Sequence, residues 1–219
     1  MSLTKFNEIK CSCGEALNYE LINSVNVSQT PEIKQDILWG EFNIVKCDSC
    51  FKIFYADVFV LYIDLPQEII AYIHPEGAKP GRAELEKKML DDFHAAGGSV
   101  DKSPKLDFEP LIFFGMDSFV DFLKNEEEKQ DEFDVLECIC RENKLGVAKI
   151  RKSVARKSGI PPLLPRIRSG KGAEKNIKNE IVAGLNEILN ISPGLTTCHN
   201  ALQQIQNNPS FDLEDKILA

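Results

Sequence analysis

The sequence predicts an α+β protein: a small antiparallel β domain over residues 1–77, then a mostly α-helical region over residues 78–219. Three observations predict it. Runs rich in β-branched and aromatic residues, broken by turn residues, fill the first third. Two close cysteine pairs, Cys11/Cys13 and Cys47/Cys50, stand at the ends of two such runs. Beyond Pro75, apolar residues recur at helical spacing. The chain has 219 residues, 43% of them hydrophobic and 27% charged, an ordinary globular composition. The length allows one large domain or two small ones.

Residues 6–9 form a short extended run into Cys11. Residues 16–27 alternate (Leu17, Tyr19, Leu21), as a half-buried strand does. Residues 31–40 fit a short helix, with Pro31 in its first turn, Ile33, Ile37 and Leu38 as its stripe and Gly40 as its stop. Residues 42–46 are a strand entering the second cysteine pair. Residues 51–63 are one long or two short strands. Asp64 to Gln67 is a turn, and residues 68–74 return as a strand.

In the second region, Leu85, Met89, Phe93 and Ala96 share one face of a helix over residues 82–96. Residues 99–115 are a connection with an apolar patch at 111–114. Residues 117–143 carry two apolar stretches separated by nine polar residues, which fits two helices or one long helix with an exposed middle. Residues 147–158 read as a basic helix stopped by Gly159. Pro161, Pro162 and Pro165 make 160–172 irregular. Ile177, Ile181, Leu185 and Ile188 define another helix, and a last one starts at Thr196/Thr197.

The cysteines carry the clearest chemistry. Seven cysteines without an export signal at residues 1–10 point away from a disulfide framework and toward metal ligands or buried thiols. A structural zinc ion takes four soft ligands in a tetrahedron, usually as two short knuckles from separate turns. Cys11-Ser12-Cys13-Gly14 and Cys47-Asp48-Ser49-Cys50 have that layout, each following a strand-like run. The expected set is therefore Cys11, Cys13, Cys47 and Cys50 around one structural Zn²⁺. The first knuckle has one intervening residue instead of two, and Gly14 permits the sharp turn this requires. Four unrelated thiols or one disulfide are the alternatives. Both zinc and iron accept four thiolates, and zinc is expected because nothing here implies electron transfer.

At these residues the chain resembles the CpXC domain, a bacterial and archaeal zinc-ribbon-like family. The likeness includes Asn23-Ser24-Val25-Asn26-Val27, Pro31-Glu32-Ile33-Lys34 and Ile37-Leu38-Trp39-Gly40-Glu41-Phe42-Asn43. It continues at Leu61-Tyr62-Ile63-Asp64 and Tyr72-Ile73-His74-Pro75-Glu76, covering roughly residues 9–77. The family is named for Cys-Pro-X-Cys; neither pair here has the proline. The resemblance implies a zinc-stabilised β domain and no particular reaction.

The remaining cysteines are weaker candidates. Cys138 and Cys140 lie two apart on a helix, about 200° around it, so they cannot face one metal. Cys140 continues the Phe133/Leu136 face as core. Cys198-His199 has no identifiable partner, and His74 and His94 read as surface or packing residues.

The net charge of −8 hides an asymmetry. Residues 1–140 hold 13 basic and 27 acidic residues (−14), 141–178 hold 12 and 2 (+10), and 179–219 hold 1 and 5 (−4). The basic segment either neutralises the acidic run near Glu126–Glu137 or meets an anionic partner. In the second case Lys149, Lys152 and Arg156, on one face of the basic helix, are the candidate contacts. Ser169-Gly170-Lys171-Gly172 lacks the spacing of a nucleotide-phosphate loop.

No nucleophile–base pair is visible, so no catalytic residue is named. Apolar runs such as residues 58–63 are too short for a bilayer. The expectation is a cytoplasmic zinc-binding protein, non-enzymatic, acting in interaction or regulation with a protein partner. The alternatives are nucleic-acid binding through 141–178, and an enzyme with its site between the two regions.

Overall fold

A computed structural model describes residues 2–98, 106, 108–168 and 176–207. The α+β class holds, with a strand-rich first part followed by helices. The chain divides into two units, Met1–Lys124 and Asn125–Ala219.

The first unit starts with β1 (Leu3–Lys10) and β2 (Ala16–Asn26), an antiparallel hairpin in which Lys10 faces Ala16 across the first cysteine turn. The alternation of β2 buries Leu17, Leu21 and Val25. Next, α1 (Glu32–Trp39) buries Ile33 and Ile37, as its stripe requires. Gly40 ends it at φ 79°, its N–H returning to the carbonyls of Asp36 and Ile37. A Cβ there would stand 2.2 Å from the Tyr55 hydroxyl, which donates to the Gly40 carbonyl.

The chain then makes a small separate hairpin from β3 (Ile44–Lys46) and β4 (Ile53–Tyr55) before rejoining the main sheet at β5 (Val60–Asp64). Residues 51–63 thus contain two strands. Asp64 is buried and accepts from the Gln67 N–H at 3.3 Å, capping the turn into β6 (Ile69–His74).

The helix α2 (Arg82–Gly98) follows, and then β7 (Leu111–Phe114). The apolar patch read as part of a connection is therefore a strand. Four apolar residues are too few to show a period, and the sheet partner supplies what the local pattern lacks. The sheet order is β1-β2-β5-β6-β7. It is mixed rather than wholly antiparallel, because β2/β5 and β6/β7 run parallel. Parallel neighbours need a crossover. α1 with the small hairpin supplies the first, and α2 lies within the second.

Residues 116–142 form one long helix, α3 (Met116–Glu142). Its polar middle leaves 124–132 without a buried residue. Phe119 and Leu123 complete the first core with Val25, Ile37, Tyr62 and Ile73. The Phe119 ring meets Tyr62 edge-on at 4.8 Å and Phe113 at 5.2 Å.

In the second unit the expected basic helix over 147–158 is replaced by β8 (Gly146–Lys149) and the short α4 (Lys152–Ser158). Residues 163–166, expected to be irregular, form β9 (Leu163–Arg166), antiparallel to β8 with Pro165 opposite Val147. A two-stranded pairing tolerates a proline on its outer side, which is why Pro165 did not break the strand. Two helices follow as expected, α5 (Ile177–Ile191) and α6 (Thr196–Asn207).

The second core gathers Leu136 and Cys140 from α3, Leu164 from β9, Ile181, Leu185 and Ile188 from α5, and Cys198, Ala201 and Ile205 from α6. Glu132 holds the start of α6, accepting from the Thr197 N–H at 2.9 Å and the Thr196 hydroxyl at 3.2 Å. Glu180, buried in α5, pairs with the Arg166 guanidinium of β9.

Candidate metal centre

The two cysteine turns close in parallel ways. In the first, the Cys11 N–H donates to the Glu15 carbonyl and the Gly14 N–H returns to the Cys11 carbonyl, both at 2.9 Å. In the second, the Cys47 N–H donates to Lys52 at 2.9 Å and the Phe51 N–H returns to Cys47 at 2.8 Å. Each turn ends on a left-handed residue, Gly14 at φ 96° and Phe51 at φ 60°. The first turn reaches that residue one position sooner. The missing residue is therefore absorbed in the loop, and Cys13 and Cys50 still present their sulfurs to the same point.

Two ties bring the turns together. The Asn43 side chain acts as a surrogate strand partner for Ile22: its amide donates to the Ile22 carbonyl and its oxygen accepts the Ile22 N–H, both at 2.9 Å. The Tyr19 hydroxyl donates to the Lys46 carbonyl at 2.6 Å. Beneath the turns, Ile9, Leu17, Leu21, Val45 and Ala56 form a small core that includes Cys11 and Cys47.

The four sulfurs of Cys11, Cys13, Cys47 and Cys50 lie within 4.8 Å of one another. Cys11 and Cys50 are 3.5 Å apart, Cys13 and Cys47 3.7 Å. Thiolates at 2.3 Å from a tetrahedral zinc stand about 3.8 Å apart, so the spacing suits one ion. It is too wide for a disulfide, and all four thiols are free.

The electrostatics point the same way. The Cys13 N–H, against the effect of burial, draws the Cys11 thiol down to about 6. The Glu15 N–H favours the Cys13 thiolate, but Cys11, burial and the other two sulfurs outweigh it and push Cys13 up to about 12. Cys50 is likewise raised: the Lys52 N–H lowers it, and Cys11 and burial overcome that. One thiolate forms readily, at Cys11, and Cys13 and Cys50 resist ionising beside it unless a cation lies among them.

The family model described as CpXC protein matches residues 9–121. That is more than half of the chain. This protein belongs to the CpXC family. The match runs past the resemblance over 9–77 to take in β7 and the start of α3. No curated protein and no solved structure matches the chain.

The other candidates separate. Lys149 is exposed on β8, whereas Lys152 and Arg156 lie on α4, so they do not share one helix face. Arg156 is 14% exposed and ion-paired with Glu126 at 2.8 Å. That pair is an instance of the basic segment neutralising the acidic run. The Ser169–Gly172 loop lies outside the described residues.

Cys138 contacts Arg141 and Glu142, each at 3.7 Å. Burial pushes the Cys140 thiol up to about 11 and Cys198 up to about 12, which makes both inert as nucleophiles. His199 bonds the Pro193 carbonyl at 2.9 Å, and His74 packs between the rings of Phe59 and Phe114.

One contributor to the site was not singled out in the sequence beyond its place in the resemblance, Asn43. Asparagine tolerates the left-handed conformation, and Asn43 adopts it at φ 51° before a strand. Replacing it with alanine removes two hydrogen bonds and leaves alanine in that conformation. The expected cost is about 2–4 kcal/mol to the first unit. Trp39, Tyr19, Tyr55, Tyr62 and Tyr72 are the only tryptophan and tyrosines and all lie in that unit, so thermal melting followed by their fluorescence reads the loss directly.

Proposed function

We propose that this CpXC protein is a cytoplasmic, non-enzymatic interaction or regulatory module held together by one structural Zn²⁺. The convergence of four cysteine sulfurs carries the metal part of this reading. Four thiolates complete a tetrahedron and leave no coordination position for a substrate. Zinc is favoured over iron because a closed set of four thiolates in a tetrahedron is the usual form of a structural zinc site. Zinc leaves the protein colourless, whereas iron–thiolate charge transfer gives visible absorption.

The interaction part rests on the outer face of the β3–β4 hairpin. Ile44 pairs with Tyr55 and Lys46 with Ile53 across that face. Ile44, Ile53 and Tyr55 are exposed, as is Trp39, beside the Gly40 carbonyl that Tyr55 holds. Phe51 is 68% exposed, left-handed at φ 60°, with Lys46 over its ring at 5.4 Å. A large apolar residue that is both strained and exposed adds little to folding, and such outliers cluster where a surface is used. A protein partner is therefore favoured. The test is replacement of Phe51 by glycine: the fold and metal content are expected to persist while partner binding falls.

Nucleic-acid binding through 141–178 is the second reading, supported by the exposed Lys149 and the local charge. Arg156 and Arg166 are engaged in ion pairs, and the chain as a whole is acidic. The expected result is flow-through on heparin at low salt. Retention that falls steeply with salt establishes the second reading instead.

A further inference from the structure

The four sulfurs are not equivalent. Cys11 and Cys47 are buried, while Cys13 and Cys50 are exposed. Within a cluster whose sulfurs all lie inside 4.8 Å, two contacts cross between the knuckles, Cys11 with Cys50 at 3.5 Å and Cys13 with Cys47 at 3.7 Å. Each contact thus joins one exposed and one buried sulfur, and each joins the two knuckles. Lys52, from the second knuckle's exit, donates to the Ser12 hydroxyl at 3.0 Å and so ties the two turns at the outer side of the cluster.

We infer that the centre is a peroxide-responsive switch. Oxidation releases the metal and leaves the cross-knuckle disulfides Cys11–Cys50 and Cys13–Cys47 in its place. The inference rests on the metal reading above.

An exposed thiolate, Cys50 or Cys13, attacks hydrogen peroxide: an S–O bond forms, the O–O bond breaks and hydroxide leaves to become water. The buried thiolate in contact with it then attacks the sulfenyl sulfur. An S–S bond forms, the S–O bond breaks and a second hydroxide leaves as water. Each pair therefore consumes two thiolates, one peroxide and two protons, and yields one disulfide and two waters. Two peroxides oxidise all four sulfurs. With all four thiolates converted to disulfides, Cys11, Cys13, Cys47 and Cys50 would no longer hold a cation.

Sulfurs 3.5 and 3.7 Å apart need to move by about 1.5 Å to reach bonding distance. The products tie the same two turns that the metal ties, and they close spans of 39 and 34 residues, which restrains the unfolded chain strongly. Oxidation is thus expected to remove the metal without unfolding the unit. A within-knuckle pairing, Cys11–Cys13 and Cys47–Cys50, would leave the turns untied.

The experiment uses the full chain with its zinc content measured first. Hydrogen peroxide is titrated in the absence of thiols. Released zinc is read with a chromophoric chelator, disulfides by mass spectrometry of unreduced peptides, and the fold by Trp39 and tyrosine fluorescence. The expected result is one zinc released per two peroxides, peptides linked Cys11–Cys50 and Cys13–Cys47, a persistent fold, and zinc rebinding after dithiothreitol. Zinc that stays bound, within-knuckle disulfides, or sulfinic and sulfonic products overturn the switch and leave the metal reading standing. A chain without metal before peroxide is added overturns both.

Discussion

A Cys47→Ser chain is expected to lose its metal and, with it, the folded region under the two cysteine turns. Cys47 is fully buried and contributes to the small core of Ile9, Leu17, Leu21, Val45 and Ala56. That core is too small to pay for ordering the turns alone. Structural zinc sites contribute about 10–16 kcal/mol of apparent binding free energy, which is also folding free energy. Loss of an outer partner of a metal ligand costs roughly 10–100-fold in affinity, so loss of a ligand costs at least about 100-fold. Competition with a zinc chelator measures the affinity, and amide hydrogen exchange over β1, β2, β3 and β4 measures the local fold. Cys140→Ser is the control, since Cys140 belongs to the other core. It is expected to leave zinc affinity unchanged.

Replacement of Gly184 by alanine is expected to destabilise the second unit, against the usual trend. In a helix interior, glycine to alanine normally gains up to about 1 kcal/mol. Here a Cβ would stand 2.4 Å from the Pro165 carbonyl oxygen, 2.5 Å from its carbon and 2.7 Å from the Arg166 nitrogen. All three are backbone atoms of β9, so α5 has to move away as a whole. Overpacking of this kind costs about 1–3 kcal/mol. It also pulls Glu180 from Arg166, and separating a buried ion pair adds to the loss. Faster hydrogen exchange in α5 and β9 reads the effect. A neutral or stabilising Gly184→Ala shows that α5 and β9 are not in close contact there.

The legible parts of the sequence were those in which local pattern and tertiary environment agree. The α1 stripe of Ile33 and Ile37 with Gly40 as its stop came through, as did the α5 ladder of Ile181, Leu185 and Ile188. The four metal-ligand candidates were readable because knuckle spacing reflects the ligand geometry directly. Where long-range pairing decides, the pattern was silent. Residues 111–114 become β7 only because β6 lies beside them, and residues 146–149 and 163–166 become strands because each pairs with the other. The basic residues at 149, 152 and 156 mimicked a helical face across what is a strand, a bend and a short helix. Asn43 and Gly184 act through contacts with Ile22 and Pro165 that are distant in sequence, and neither residue type announces such a contact.

The proposed centre holds one zinc ion on Cys11, Cys13, Cys47 and Cys50. Its most direct test is elemental analysis of the chain purified without added metal and without a metal-binding tag, with protein quantified independently. One equivalent of zinc per chain is expected, retained through gel filtration and lost in the Cys47→Ser variant. A metal-free folded chain, or iron in place of zinc, contradicts it.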